Sequence, residues 1–278
     1  MKVGRKETVF AAITPLLAAV AVFSFAGCGV NSATKTGRLV SNAVEGSEKT
    51  EYVFCVSRNS RNAQKYLDGI NAVIDSTDCG DLITRYLNNT NRRQDFLGEL
   101  TVEDNTGDII NVYTSVLSPY QYSGAYGNGV DGVDMYLMVK LADNLEMKPA
   151  FYDLSYNSAY AMVKSGKGDI LATAVALTEQ VKTDFEVSKV YSSGYQQIIS
   201  DEAENFKKLS DLKGMKIGAL SGRTGYTLVK NAIDGGVLKG TSAEIIGYEN
   251  DAEAYSAYLA QECDVLVVDE YSAKVMLK

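Results

Sequence analysis

The stretch GVDMYLMVKLADNLEMKPAFYDLSYNSAYAMVKSGKGDILATAVALTEQVKTDFEVSKVY, Gly132 to Tyr191, decides how this chain folds. Val133, Leu137, Leu141 and Leu145 recur at every fourth position, which predicts a helix from Val133 to Asn144 with one apolar face. Lys148 to Tyr152 is a short β-type run. A second helix is expected from Ser158 to Lys164, closed by Ser165-Gly166-Lys167-Gly168, because glycine takes the left-handed cap conformation without strain. The apolar run Asp169 to Ala176 predicts a strand buried on both faces. Helix and strand in alternation is the grammar of a parallel sheet with right-handed crossovers.

Working outward, 278 residues with 46% hydrophobic content are enough for two lobes, each with its own core. The formal charge is −8, and it nears −10 once residues 1–28, with three basic side chains and one acid, are set aside. That balance argues against nucleic acid or an anionic membrane face as partner. Histidine is absent, so a histidine-based triad or an H-E-x-x-H zinc site is excluded. Tryptophan is absent too, whereas tyrosine numbers 18, so an aromatic wall around a ligand must come from tyrosine or phenylalanine.

Residues 1–28 carry the pattern of an export signal. Lys2, Arg5 and Lys6 precede the apolar Val9 to Phe25, and Phe25-Ala26-Gly27-Cys28 ends the segment. Small residues before a cysteine predict lipidation at Cys28, with an uncut transmembrane anchor as the alternative. Residues 29–37 are polar and suit a tether. Of the remaining cysteines, Cys55, Cys79 and Cys263 allow one disulfide but do not say which, and their spacing does not fit zinc. No cofactor is expected.

The Gly132–Tyr191 stretch resembles the extracellular solute-binding proteins of family 3, the receptors of amino-acid ABC importers. Their usual text here is close to GFDVDLAKAIAKRLG, then ALQSGKVDIIIAGMTITPER and FSDPYYSSG. Further on, Asp211-Leu212-Lys213-Gly214-Met215-Lys216-Ile217-Gly218-Ala219-Leu220 is similar to DLKGKKVGV. The resemblance implies an α/β fold with two doubly wound lobes joined by crossing hinge strands, the type 2 periplasmic-binding arrangement.

One departure concerns order. The family's opening strand and aromatic turn are matched only at Ile109 to Thr114 and Ser118 to Tyr122. Ahead of them stand a strand, Tyr52 to Val56, a helix, Ala63 to Asp75, and a short helix, Asp81 to Leu87. These resemble the family's C-terminal strand and helices, which the chain does not contain after Asp269. The sequence therefore looks circularly permuted within one chain. The alternatives are an unrelated helical N-terminal domain or a tandem remnant that swaps between molecules. The linker, residues 88–108, could span up to roughly 65 Å at about 3.3 Å per residue, ample for one lobe's surface. Permutation is physically permitted because the termini of compact domains lie at the surface, often close together. Lobe one is then 38–192, with the permuted segment at 38–100, and lobe two with the hinge return is 193–278.

Ligands of open α/β sheets sit beyond the carboxyl ends of strands. Those ends deliver Ser118, Tyr120, Tyr122, Tyr156, Ala174, Ala176 and Thr178 from lobe one, and Ser221, Arg223, Thr224 and Asp269 from lobe two. By resemblance, aromatics at Tyr120 and Tyr156 would sandwich a ligand side chain, and Asp269 would take an ammonium. From the residues alone, the tyrosines are equally ordinary packing and Asp269 equally a helix cap. The family arginine that clamps a ligand carboxylate falls on Val181, and a carboxylate-binding threonine falls on Ala176. Valine cannot replace a bidentate guanidinium. Arg223 either supplies the missing charge from the other lobe or is a solvated loop residue.

The expected function is a lipid-anchored, extracytoplasmic, monomeric receptor that delivers a small polar solute, an amino acid or related amine, to an ABC permease. It is not expected to be an enzyme. The same fold as a signalling sensor or decayed module is the second reading. A dehydratase-like enzyme using Asp269 or Glu179 is the third.

Overall fold

The computed structural model describes residues 37–88, 107–123 and 129–278. The export signal, Cys28, the tether up to residue 36 and the linker from 89 to 106 lie outside these residues. The elements in the first half of the chain are β1 (Leu39–Ala43), β2 (Thr50–Ser57), α1 (Ala63–Asp75), α2 (Cys79–Asn88), β3 (Ile109–Thr114), β4 (Tyr122–Ser123), β5 (Val130–Asp131), α3 (Val133–Asn144), β6 (Lys148–Asp153) and α4 (Tyr156–Lys164). There follow β7 (Ile170–Ala176), α5 (Glu179–Asp184), β8 (Phe185–Val187), β9 (Ser192–Gly194), β10 (Gln196–Asp201) and β11 (Lys216–Leu220). The last are α6 (Thr224–Asp234), β12 (Glu244–Tyr248), α7 (Asp251–Leu259), β13 (Val265–Asp269) and α8 (Glu270–Met276).

Two open sheets form the architecture, and period-two alternation explains how each is covered on both faces. The first runs β6-β3-β7-β2-β8, with β9 beside β2. Tyr52, Phe54 and Val56 of β2 join the core under α1, α2 and α3, while Val53 and Cys55 point to the opposite core under α4. The second sheet runs β1-β10-β13-β11-β12. Here Leu266 and Val268 face α7 and α8, and Val265 and Val267 face α6.

The front of the chain is part of the first sheet rather than an appendage. β2 lies between β7 and β8 and is antiparallel to both. Tyr66, Ile70 and Val73 of α1 are buried at helical spacing. At Gly69 a Cβ would stand 2.6 Å from Leu141 Cδ1, so glycine lets α1 and α3 approach closely. β1 departs from the lobe-one span of 38–192, since it pairs with β10 in the second sheet. The chain therefore crosses between sheets twice, once from β1 to β2 and once from β9 to β10. Val44 N donates to Gln196 O at 2.8 Å where the two crossings run side by side.

The register of α3 is set at its first residue. Gly132 has φ +134°, and a Cβ there would run into the Tyr120 carbonyl. With only a hydrogen in that place, Val133 N donates to Pro119 O at 3.1 Å and Asp134 N to Tyr120 O at 3.0 Å. These bonds satisfy amides that an uncapped helix start leaves open. Among the described residues no helix is long and apolar enough to cross a membrane. Cys55, Cys79 and Cys263 are buried thiols and form no disulfide with one another.

Candidate functional site

The carboxyl ends of β7, β11 and β13 converge on one cavity of about 510 Å³ between the two sheets. Of the residues expected there, Tyr156, Ala174, Ala176, Thr178, Arg223, Thr224 and Asp269 line it. Ser118, Tyr120, Tyr122 and Ser221 are not on its wall. The turn after β3 explains this: Tyr120 N and Gln121 N both donate to Leu117 O, which tucks Tyr120 inward and leaves Leu117 on the wall. Tyr120 is fully buried and its hydroxyl meets Ser192 Oγ at 2.9 Å. Tyr122 donates to Asp131 at 3.2 Å. Ser118 ties the lobes together through its backbone: its N–H donates to Asp251, and its carbonyl accepts from Ser272 Oγ at 2.9 Å. Ser221 N donates to Tyr248 O at 2.8 Å, extending the β11–β12 ladder past Leu220.

Asp269 is a helix cap that also stands on the cavity wall. Its Oδ1 caps α8, accepting from Tyr271 N at 2.8 Å and Ser272 N at 3.3 Å, and the residue also lines the cavity. Its Oδ2 accepts from the Tyr52 hydroxyl, which reaches across from β2. Burial raises the Asp269 carboxyl above its ordinary value, opposed by the Tyr52 hydrogen bond and the two cap amides. With Asn157, Tyr160 and Gln196, Tyr52 is among the pocket residues that sequence alone did not reveal. Its place on an apolar, alternating strand carries no mark of the cavity, and only the pairing of β2 beside β7 brings it there.

Arg223 belongs to the second lobe but spends its fork on the first. Nη1 donates to Thr173 O, and Nη2 donates to Thr173 Oγ1 at 2.7 Å. The guanidinium lies 4.2 Å from the centroid of the Tyr156 ring, a cation–π contact. It is therefore not a solvated loop side chain, and two of its five donors are spent on Thr173. Next to it, α6 begins with Arg223 as its N-cap and no side-chain cap. Gly225 permits the helix start to press on β13, where a Cβ would run into Val267 O. Val181 and Ala176 present apolar surface to the cavity.

Behind the wall, Asp134 is fully buried on the first turn of α3. Its Oδ2 accepts from Ala174 N at 2.8 Å and its Oδ1 from the Tyr191 hydroxyl at 2.7 Å. Ala174 has φ +45°, a strained conformation for a residue with a Cβ, opposite a register shift in the β2–β7 ladder. Asp134 thus fixes a strained cavity residue to the hinge strand. Burial pushes its carboxyl from 3.8 up to about 7, against the pull of Tyr191, the Ala174 amide and the Arg223 charge. A raised carboxylate pKa stabilises the fold fully below the unfolded value, and that contribution is lost as pH rises through the folded value. Wild type should therefore lose stability relative to Asp134→Asn between about pH 4 and 7.5, on the order of 4 kcal/mol in all. Paired urea titrations across that range test it. A constant difference would overturn the assignment.

Among the described residues no cluster of acids and cysteines could hold a metal ion. Glu179, the alternative pocket acid, has a side chain 90% exposed and paired with Lys182, so it takes no part in the cavity.

The family model of the bacterial extracellular solute-binding proteins, family 3, matches residues 110–262. The glutamine-binding protein GlnH of an ABC transporter in Bacillus subtilis is 24% identical over 144 residues, half of each chain. The arginine-binding extracellular protein ArtP of the same organism is 27% identical over 104 residues, 37% of this chain and 40% of that one. The chain spans about half the length of the curated relatives it matches. Among solved structures, an ancestral arginine-binding protein bound to arginine superposes with a TM-score of 0.54 at 26% identity, covering 59% of this chain and 71% of that one. An ancestral amino-acid-binding protein, precursor of cyclohexadienyl dehydratase, gives 0.53 at 26% identity, covering 59% of this chain and 72% of that one. Residues 37–88 lie outside the family match.

Proposed function

Because the chain belongs to the bacterial extracellular solute-binding proteins, family 3, we propose that it is an extracytoplasmic receptor for a free amino acid, held at the membrane by lipid on Cys28 and serving an ABC permease. The observation that carries this reading is the pairing of one buried acid with one uncapped helix start on the walls of one cavity. Asp269 takes the ammonium through the acceptor capacity left on Oδ2. The open amides of the first turn of α6, with the Thr224 hydroxyl, take the carboxylate, since helix N-termini favour anions. That arrangement does the work for which Val181 and Ala176 are unsuited. The side chain then lies against Leu117, Tyr160 and Val181. No proton transfer is assigned to the site: Asp269 is engaged by three donors and Glu179 lies outside it. We read the front segment as the family's closing strand and helices in permuted order, which β2, α1 and α2 support by their places against β7 and α3.

Thermal unfolding against a panel of amino acids, amines and sugars tests the proposal. A ligand at about a hundred times its dissociation constant adds roughly 2.7 kcal/mol, which raises the midpoint by about 5–10 °C in a domain of this size. A shift confined to amino acids is the expected result. A cooperative transition that no compound moves would sink the receptor reading and favour a sensor or ligand-free module.

A further inference from the structure

We propose that Arg223 is a built-in occupant of the cavity's cation subsite, so that the receptor selects amino acids with an uncharged side chain over arginine and lysine. This rests on the amino-acid reading of the cavity and narrows it. Of the three tyrosines lining the cavity, Tyr52 donates its hydroxyl to Asp269 and Tyr160 packs edge-on against Phe185, while the Tyr156 ring is already covered by the protein's own guanidinium at 4.2 Å. That guanidinium is held in place. Its fork is bonded to both oxygens of Thr173, which is fully buried. The loop that carries it is docked on α4: Gly222 has φ +77°, and a Cβ there would stand 2.8 Å from Tyr156 Cδ1.

The charges on the walls lead to the same conclusion. Among the described residues lining the cavity, Asp269 is the one acid and Arg223 the one base. Asp269 is committed to the ligand ammonium. Asp134 stands behind Ala174 with both oxygens engaged, one by the Ala174 amide and one by Tyr191. A second positive charge on the ligand would therefore find no free carboxylate and would face Arg223. At a separation of about 6 Å in a partly buried site, such repulsion costs a factor of roughly ten to a hundred in affinity.

Isothermal titration of the purified chain with glutamine, leucine, arginine and lysine tests this. We expect arginine and lysine to bind at least about tenfold more weakly than the better neutral amino acid. Arg223→Met removes the charge but keeps an unbranched chain, and should narrow that gap to about threefold or reverse it. Arg223→Lys keeps the charge and should keep the gap. Circular dichroism and cooperative unfolding establish that each variant is folded. Arginine bound by wild type as tightly as a neutral amino acid overturns the inference and leaves the receptor reading standing. A gap that persists in folded Arg223→Met also overturns it. Binding of no amino acid by wild type removes the receptor reading, and this inference with it.

Discussion

Asp269→Asn is expected to weaken amino-acid binding by at least about a hundredfold while moving the unfolding free energy by less than about 1 kcal/mol. The two effects separate because the residue does two things with different atoms. As the cap of α8 it needs only an oxygen that accepts from Tyr271 N and Ser272 N, and asparagine caps as well as aspartate. The Tyr52 hydroxyl, which now donates to Oδ2, can rotate to accept from the new amide. As the ligand's anion it needs charge. Leaving a buried ammonium without its partner costs about 3–5 kcal/mol, roughly two to three and a half powers of ten in affinity. Titration calorimetry and urea unfolding on the same preparations measure both numbers. Binding retained within threefold would show that Asp269 is a cap and nothing more. Alanine at this position confounds the two roles, since it also removes the cap, worth about 0.5–2 kcal/mol.

What the sequence disclosed and what it withheld follow from the range of each signal. The spacing of Val133, Leu137 and Leu141 reports which face of α3 is buried, and the helix occupies the expected Val133–Asn144. Likewise α1 keeps its expected bounds, Ala63–Asp75. Such patterns are local. They say that Tyr52 points inward but not that β7 lies beside it, so the Tyr52–Asp269 bond across 217 positions was not legible. Nor could they place β1, whose mixed side chains fit either sheet and whose partner is set by the crossing at Val44. Motif position identified the loop after β3 as a cavity element but not which residue faces in, because that depends on a turn closing onto Leu117 O. Arg223 was legible as an unusual loop cation. Its choice of Thr173 over solvent or ligand is a property of two lobes in contact, which no window of sequence contains.

Deleting residues 38–88 is expected to abolish cooperative folding, and placing the same residues behind Lys278 to restore it. Deletion takes away the strand between β7 and β8, so two ladders open at once and the first sheet gains an unpaired edge in its middle. It also removes Phe54, Val56, Tyr66, Ile70 and Leu82 from one continuous core. At about 1.5–3 kcal/mol per buried large apolar side chain, these five alone approach or exceed the roughly 5–15 kcal/mol by which a domain is usually stable. Cavity and ladder losses add to that. Relocation is geometrically mild because α8 packs on β1, which brings the last helix near the start of the segment to be moved. A flexible join of about six glycine and serine residues suffices, and it reproduces the order read in the family's text. Chemical denaturation should show a single transition in the reordered chain with a midpoint close to wild type, and the amino-acid shift should persist because Tyr52 returns to the same place beside Asp269. If the chain lacking 38–88 instead melted cooperatively, the segment would be an added domain, and the permuted reading would fall.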